Sequence, residues 1–266
     1  GHTGTLDPMA TGLLPICLGE ATKFSSHLLE ADKVYRTRVE LGVITDTGDA
    51  EGAVMEQHAV PSLTADDVEA VLSRFRGDID QVPPMYSALK HQGKKLYELA
   101  REGKHVERAA RRVSVYDARL LSFDGTAFEL EVSCSKGTYI RTLAEDIGKA
   151  LGCGAHISQL RRLKTGPFLA DAMWTLEALE ALADQAALEA ELMPVDVLVD
   201  HLPSLTVDDT AHSRLAHGQP ATLTTGTLAP EALARLYYAE TFIGLGVVKG
   251  DQEVAPKRLL STVAIS

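Results

Sequence analysis

The sequence is poor in several features, and each shortage excludes a class of protein. It has three cysteines, Cys17, Cys134 and Cys153, and none of them belongs to a Cys-x-x-Cys pair. This odd number and wide spacing argue against a disulfide framework or a zinc site and favour a reducing, cytoplasmic environment. No apolar run approaches the ~18–20 residues of a membrane-spanning helix, and no signal-peptide pattern opens the chain. We therefore expect a cytoplasmic protein that does not enter a membrane.

Signatures of common cofactors are also missing. The chain has no Gly-x-Gly-x-x-Gly motif after a strand and no P-loop, which is consistent with a reaction that uses no nicotinamide, flavin or ATP. Asp46, Asp49 and Glu51 form an acidic cluster, but their spacing is not that of an EF-hand loop. Gly48 and Gly52 instead favour a hairpin turn. We therefore expect neither a cofactor nor a metal.

Positive charge is scarce overall but concentrated locally. The net charge is −11, yet residues 171–209 hold ten acidic residues and no Lys or Arg, which is −10 for that stretch alone. Residues 84–112 hold eight Lys or Arg against three Glu (+5), and residues 136–165 hold six against two (+4). Binding of phosphates depends on local potential, so the two basic stretches can contact RNA in an acidic protein.

Hydrophobic patterning predicts helices interspersed with strands. Helices are predicted at 20–30, 64–75, 138–151 and 175–184, and strands at 35–41, 114–123 and 128–134. After residue 203 the pattern changes to short strands at 205–207, 221–223, 242–248 and 253–256. Because no βαβ rhythm is present, we predict an α+β fold with a mainly antiparallel sheet and a small β-rich appendage.

Residues 1–15 carry the most informative pattern, a loop rich in Gly and Thr that presents one carboxylate. Asp7 is followed by Pro8, which fixes φ and removes a backbone donor, so the acid lies on a stiff, non-helical stretch. An isolated Asp in such a loop is usually a turn former. The whole string, however, resembles the catalytic loop of the TruB family of tRNA pseudouridine synthases, in which this aspartate is the nucleophile.

Further segments resemble the same family in the same order up to about residue 195. They are Lys-Val-Tyr-Arg at 33–36, Thr-Asp-Thr-Gly-Asp at 45–49, the run 83–97, Cys-Ser-Lys-Gly-Thr-Tyr-Ile-Arg-Thr at 134–142, Gly-Cys-Gly-Ala-His at 152–156, and Leu-Arg-Arg at 160–162. The family carries roughly forty residues before the loop, including a Lys-Pro-x-Gly-x-Thr-Ser segment. We therefore expect an N-terminally shortened member.

The resemblance implies the fold and its division. It implies a catalytic domain over 1–197, with the mixed, mainly antiparallel sheet of the pseudouridine-synthase core, flanking helices and the first strand and helix missing. It also implies an RNA-gripping insert at about 84–112, for which we expect a mobile segment that orders on RNA. A C-terminal domain similar to the PUA RNA-binding module is expected over 198–266.

Catalytic roles follow by the same resemblance. Asp7 is the nucleophile, and Arg141 is the guanidinium that keeps it ionised, a need that follows because a carboxylate in a closed pocket otherwise tends to protonate. An alternative for Arg141 is pairing with Glu145 across one helical turn. Tyr35 is implied to lie against the uracil and is a candidate for removing the C5 proton.

Substrate contacts are implied for residues that the resemblance places around the flipped nucleotide. Tyr139 and Leu160 are expected to contact it and close the pocket, and His2 to contact the RNA loop. Lys23, Lys94 and Lys95 are candidates for phosphate contacts, with a solvated surface as the alternative reading of each charge.

Three functions remain open at this stage. The first is isomerisation of the T-loop uridine at tRNA position 55 by a monomer that binds the T arm and needs no obligate protein partner. The second is a non-catalytic tRNA-binding or folding-chaperone role, which differs only in not requiring Asp7. The third, a glycosidase, is disfavoured because no second acid occupies a comparable loop.

Overall fold

The structure, a computed structural model, describes residues 1–250 and 252–261. Its strands are β1 (Thr11–Gly12), β2 (Lys33–Leu41), β3 (Val43–Thr45), β4 (Val54–Gln57), β5 (Gly77–Gln81), β6 (Lys90–His91), β7 (Lys94–Lys95), β8 (Arg111–Phe123), β9 (Ala127–Cys134), β10 (Ala155–Thr165), β11 (Phe168–Leu169), β12 (Ser204–Val207), β13 (Ala221–Thr222), β14 (Leu233–Tyr238), β15 (Thr241–Gly250) and β16 (Glu253–Leu259). Its α-helices are α1 (Ser25–Leu29), α2 (Ala65–Leu72), α3 (Leu96–Arg101), α4 (Ile140–Ala150), α5 (Leu176–Glu180), α6 (Gln185–Ala190) and α7 (Asp209–Ala216). Four 3-10 turns occur at Gly19–Phe24, Ser73–Phe75, Ala170–Ala172 and Val195–Val199.

The described chain divides into two compact units. The core unit comprises Thr5–Leu14 and Glu30–Met173, and the terminal unit comprises Gly1–Gly4, Pro15–Leu29 and the described residues from Trp174 onward. The predicted domain boundary between residues 197 and 198 stays a prediction.

A mixed sheet forms the centre of the core unit. Its strand order is β1-β10-β2-β9-β8-β5, with β11 paired to the end of β10. In this sheet β1 and β10 are parallel, and the other paired strands are antiparallel. In β2 the side chains of Thr37, Val39 and Leu41 are buried, because alternate residues of a strand point to the same face. The register pairs Val39 with Phe128 of β9 and with Ile157 of β10.

Helix α4 covers this buried face of the sheet. Its apolar residues join those of β2, β9 and β10 in one core cluster that includes Val39, Phe128, Leu130, Ile140, Leu143, Ala144, Ile147 and Ile157. Helix α2 begins at a capping box in which Thr64 and Asp67 exchange side-chain and backbone hydrogen bonds. The predicted capping of this helix is therefore confirmed.

The terminal unit contains a second, smaller sheet of order β12-β14-β15-β16-β13. Leu205, Leu215, Leu236 and Val254 belong to its core, to which α7 contributes Leu215. The predicted α+β class with a small β-rich C-terminal portion is confirmed. Within the part of the chain that the structure describes, no helix is long and apolar enough to cross a membrane.

Several predicted elements were wrong in extent. The single helix predicted at 20–30 is a 3-10 turn followed by α1. The helix predicted at 175–184 is the shorter α5, and the acidic sequence up to residue 192, which was also predicted to be helical, contains the separate helix α6. Thr175 and Asp184 each cap a separate helix with a side-chain oxygen, which explains the break. Strand β14 and helix α7 were not predicted.

Strand β10 was also missed, although it lies between β1 and β2. Its buried positions do not alternate strictly, because register shifts occur between Ile157 and Gln159 and between Arg162 and Lys164. Such irregularities break the period of two on which strand prediction depends.

Candidate active site

The loop that carries Asp7 is held against the sheet by its C-terminal end. The Asp7 carbonyl accepts a hydrogen bond from the Ala10 amide (2.9 Å), which closes a turn, and β1 then pairs with β10. The Leu13 amide donates to the Arg162 carbonyl (2.9 Å), and Nε of Arg162 donates to the Leu13 carbonyl (2.7 Å). Arg162 is 1% exposed, so this connection lies inside the core unit.

Gly12 allows the close approach of this loop to β10. Its φ is +98°, and a Cβ at this position would lie 2.3 Å from the Arg162 carbonyl oxygen. No side chain fits there, so the docking of the Asp7 loop requires glycine.

Asp7 forms an ion pair with Arg141 from the first turn of α4. Nη2 of Arg141 donates to Oδ1 of Asp7 at 2.9 Å. The Arg141 side chain is 4% exposed, whereas that of Asp7 is 32% exposed. The buried guanidinium thus supports a carboxylate that remains open to a ligand.

Arg141 contacts further oxygens that fix its plane. Nη1 donates to the Thr47 carbonyl (2.9 Å) and Nη2 to the Tyr86 carbonyl (2.8 Å), and Nη1 lies 3.5 Å from Oδ2 of Asp49. The alternative pairing of Arg141 with Glu145 is not what the structure shows. The guanidinium points to Asp7 and Asp49, and the three residues are called here the Arg141 network.

Asp49 was not predicted as a site residue. Its side chain is 5% exposed, and Oδ1 accepts hydrogen bonds from Thr47 Oγ1 (2.7 Å) and from the Glu51 amide (3.1 Å). The sequence shows an Asp in a turn, and turn formation explains that residue type equally well. Only the fold brings this turn against α4.

Burial and charge act in opposite directions on Asp7. Burial raises the pKa of its carboxyl above the ordinary value, while the charge and the hydrogen bond of Arg141 lower it and the charge of Asp49 raises it. Arg141 therefore offsets part of the desolvation of the ionised form. One turn further along α4, burial and the neighbouring Asp146 raise the pKa of Glu145 to about 7.

Tyr35 and Leu160 lie on the face of the sheet that α4 covers. The register pairs Tyr35 with Arg162 and Thr37 with Leu160, so these side chains share one face. Burial raises the pKa of Tyr35. The charge of Arg162 and a hydrogen bond with it lower this pKa, and the negative charge of Asp7 raises it. Leu160 is 6% exposed and belongs to the core cluster, against which Tyr35 packs.

Tyr139 immediately precedes α4 and is half-buried. Burial raises the pKa of Tyr139, the charge of Asp7 raises it further, and the charge of Arg141 lowers it. The structure thus pairs Asp7 with Arg141 and places Tyr139 two residues before Arg141, and Tyr35 shares a face of the sheet with Leu160.

The other predicted residues lie elsewhere. His2 and Lys23 belong to the terminal unit, where exposed His2 forms an isolated bridge with Ile16. Lys23 is bound within that unit, to Glu20 (2.8 Å), to the Leu259 carbonyl (3.1 Å) and to Ser261 Oγ (2.7 Å).

Lys94 and Lys95 lie on β7, in a hairpin with β6 whose turn is formed by Gln92 and Gly93 with φ of 50° and 87°. Nζ of Lys94 is 3.6 Å from Glu102, and Nζ of Lys95 lies 5.3 Å from the ring centre of Tyr97. The insert also has its own small core of Met85, Leu96 and Leu99.

Comparisons with known proteins agree along the chain. Residues 1–140 match the family described as TruB family pseudouridylate synthase (N terminal domain). Residues 141–200 match the tRNA pseudouridylate synthase B C-terminal domain, and residues 203–260 match pseudouridine synthase II TruB, C-terminal. The chain belongs to the TruB family.

Relatives of the family are similar over nearly all of the chain. The tRNA pseudouridine synthase B of Chromohalobacter salexigens is 66% identical over 266 residues, which are 100% of this chain and 86% of the relative. That of Chromobacterium violaceum is 54% identical over 99% of this chain and 86% of the relative.

Solved structures share the fold. A structure described as a Cbf5-Nop10-Gar1 complex matches with a TM-score of 0.70 and 28% identity, over 95% of this chain and 70% of that one. An H/ACA RNP bound to a substrate RNA containing 2'-deoxyuridine matches with a TM-score of 0.71 and 25% identity, over 97% and 75%. The predicted family is therefore confirmed.

Proposed function

We propose that this chain isomerises the T-loop uridine of tRNA, position 55, to pseudouridine, with Asp7 as the reacting carboxylate. The observation that carries the proposal is the Asp7–Arg141 pair, in which a buried guanidinium holds a partly open carboxylate at 2.9 Å. The names of the relatives, tRNA pseudouridine synthase B, support the choice of tRNA as the substrate.

The reaction makes limited demands on the protein. The N1–C1′ bond of the nucleotide breaks, the base rotates, a C5–C1′ bond forms, and the C5 proton is lost while N1 gains one. Nothing is oxidised or reduced, and no external group is transferred. Asp7 can add to C6 of the uracil, attack C1′ of the ribose, or assist glycal formation by acting on the 2′ proton. In each case the carboxylate must be ionised, which Arg141 favours.

The target base must leave the loop to reach Asp7. A flipped base needs an apolar or aromatic pocket, because it gives up stacking in the RNA. Besides burial, the charge of Asp7 raises the pKa of both Tyr35 and Tyr139, which supports our assignment of the two rings to the walls of such a pocket. Leu160 is proposed as its apolar floor. Tyr35 is our candidate for accepting the C5 proton.

Recognition of the T arm is proposed to use charge outside this pocket. Lys94 and Lys95 lie in a basic stretch, and Lys94 is exposed, which suits phosphate contacts. His2, which is exposed, is proposed to contact the RNA loop, and Lys23 a phosphate, although Lys23 must first leave its internal partners. We propose that residues 1–197 form the catalytic domain and that residues 198–266 act as a PUA-like RNA-binding domain.

We further propose that the chain acts as a monomer in the cytoplasm, without an obligate protein partner. The curated relatives carry the name of a single enzyme, whereas the Cbf5 structures are described as complexes. The three cysteines are free and buried, which suits a reducing compartment.

The experiment follows the C5 proton. A T-arm stem-loop RNA labelled with tritium at C5 of uridine should release tritium on incubation with the purified chain, and nucleoside analysis should show one pseudouridine per RNA. A matched RNA with cytidine at the target position should show neither. Tight binding of the first RNA without tritium release would overturn the proposal and favour the non-catalytic tRNA-binding role.

A further inference from the structure

Gln81 is a buried polar residue that the mechanism above does not use. It is the last residue of β5, is 1% exposed and is among the largest fully buried side chains described. Glutamine is seldom this buried unless its amide is hydrogen-bonded. Its partners therefore indicate what the residue does.

Both ends of the Gln81 amide bind the backbone of Tyr139. Oε1 accepts a hydrogen bond from the Tyr139 amide at 3.0 Å, and Nε2 donates to the Tyr139 carbonyl at 3.3 Å. Tyr139 is the N-cap residue of α4, and its own side chain makes no capping hydrogen bond. Gln81, from strand β5, thus holds the backbone at the start of α4, where the N-cap side chain makes no hydrogen bond.

Two residues after this contact point, α4 presents Arg141 to Asp7. The chain that leaves Gln81 also reaches Arg141, because the Tyr86 carbonyl accepts from Nη2 at 2.8 Å. Gln81 therefore lies where two segments of the site meet. A shift of α4 at this point would move the ring of Tyr139 and the guanidinium of Arg141 together.

We propose that Gln81 is a positioning residue for the reaction: its amide fixes the backbone of Tyr139 and thereby the placement of both the Tyr139 ring and Arg141 around the flipped base. The proposal rests on the proposed function, since Tyr139 and Arg141 act there. Displacements of about 1 Å in such groups can cost roughly a hundredfold in rate.

The test compares Gln81→Met and Gln81→Glu. Methionine keeps the approximate shape of the side chain and makes neither hydrogen bond, so kcat should fall at least about tenfold. The KM for the RNA should change less than threefold, because the lysines proposed to contact the RNA phosphates lie outside this pocket and are unchanged. Tritium release from the T-arm RNA supplies both constants, and circular dichroism checks the fold.

Glutamate provides a readout that a merely structural role would not move. A protonated Glu at this position accepts from the Tyr139 amide and donates to its carbonyl, as the glutamine amide does, whereas ionised Glu faces the carbonyl without a proton. Burial and the nearby carbonyl favour the protonated form of the carboxyl group. The variant therefore keeps both hydrogen bonds at low pH and loses the one to the Tyr139 carbonyl when the group ionises. The ratio of Gln81→Glu to wild-type rate should be within about threefold at pH 5.5 and fall at least tenfold by pH 8.5. The corresponding ratio for Gln81→Met should not vary with pH.

Gln57→Glu is the matched control, because Gln57 lies on β4 with an exposed side chain. Its ratio to wild type should stay near one at every pH. A folded Gln81→Met variant with unchanged kcat, or a Gln81→Glu ratio that does not vary with pH, would overturn the proposal. Absence of tritium release by the wild type would instead overturn the proposed function, which keeps the two failures distinct.

Discussion

Arg141 shares its positive charge between two carboxylates, and this arrangement has a physical cost. Removing a guanidinium from water is expensive, and the cost is offset only when its donors find acceptors. Two carbonyls and the carboxylates of Asp7 and Asp49 supply them to Nη1 and Nη2, whereas the buried Nε has no hydrogen-bond partner among the described residues. Asp49, which is almost fully buried, anchors the cation, while the more open Asp7 is left for the substrate.

Asp49→Asn tests this division of roles. The exchange keeps the shape and removes the charge, so Arg141 is left with one carboxylate fewer and the turn that Oδ1 organises is weakened. We expect kcat to fall at least about tenfold with a KM within threefold of wild type, because the defect lies in preorganisation. Glu51→Gln, an exposed acid in the same turn, is the control and should leave both constants unchanged. An active Asp49→Asn variant would show that Arg141 needs no second carboxylate.

At the scale of elements, the site depends on how the Asp7 loop docks on β10. That docking uses two hydrogen bonds between Leu13 and Arg162 and a contact at Gly12 that leaves no room for a side chain. The position of the carboxylate thus depends on the backbone geometry of Gly12 and Leu13, further along the chain.

Gly12→Ala should disrupt this docking. Gly125 is a matched control, because its φ is +99° against +98° for Gly12, yet no atom lies within 4 Å of a Cβ built there. Both substitutions carry the cost of positive φ, about 1 kcal/mol, and only Gly12→Ala adds a clash with the Arg162 carbonyl. We expect Gly12→Ala to lower kcat more than tenfold and Gly125→Ala to lower it less than twofold, measured by tritium release. Equal effects would contradict the docking argument.

The basic insert is the second element with a testable role. Replacing Lys94 and Lys95 with Ala should weaken binding of all RNA ligands similarly, because phosphate contacts carry no sequence information. The slope of log K against log salt should flatten by roughly 0.7–0.9 for each phosphate that the protein no longer neutralises. Fluorescence anisotropy across a salt series measures this slope. An unchanged slope would assign both lysines to a solvated face.

Sequence patterns predicted elements well where one period dominated. Strand β2 alternates, and α2 carries its capping box, so both were found close to their observed bounds. Strand β10 was not predicted, because its bulges interrupt the alternation of buried and exposed residues. Asp7 and Arg141 were identified by resemblance, and geometry then showed their contact. Asp49, Arg162 and Gln81 were missed because their roles arise from contacts between distant segments, and a single sequence does not show such contacts.

At the scale of the whole molecule, positive and negative charges are concentrated in separate stretches of the sequence. A net charge of −11 coexists with a stretch of +5 in the insert and one of −10 over residues 171–209. Because screening limits the reach of each charge to about 10 Å at ~0.1 M salt, RNA affinity follows the local stretch and not the total.

The half-buried acid Glu145 of α4 should make the stability of the fold depend on pH. Glu145 has a pKa of about 7 in the folded chain against 4.5 for the free side chain, because of burial and Asp146. Between these values the folded state keeps a proton that the unfolded state has released, so the free energy of unfolding falls as pH rises. Glu145→Gln removes this dependence, and we expect the variant to gain about 2 kcal/mol on wild type between pH 4.5 and pH 8. Urea unfolding at both pH values measures the gain, and Glu51→Gln, which should show none, is the control.

The most direct measurement of the central claim is the activity of Asp7→Asn beside its RNA affinity. The exchange keeps size and removes the charge that Arg141 supports, so chemistry should suffer and shape recognition should not. We predict that tritium release from the T-arm RNA is abolished while the Kd for the same RNA changes less than about tenfold. Turnover within tenfold of wild type would contradict the assignment of Asp7 as the reacting carboxylate.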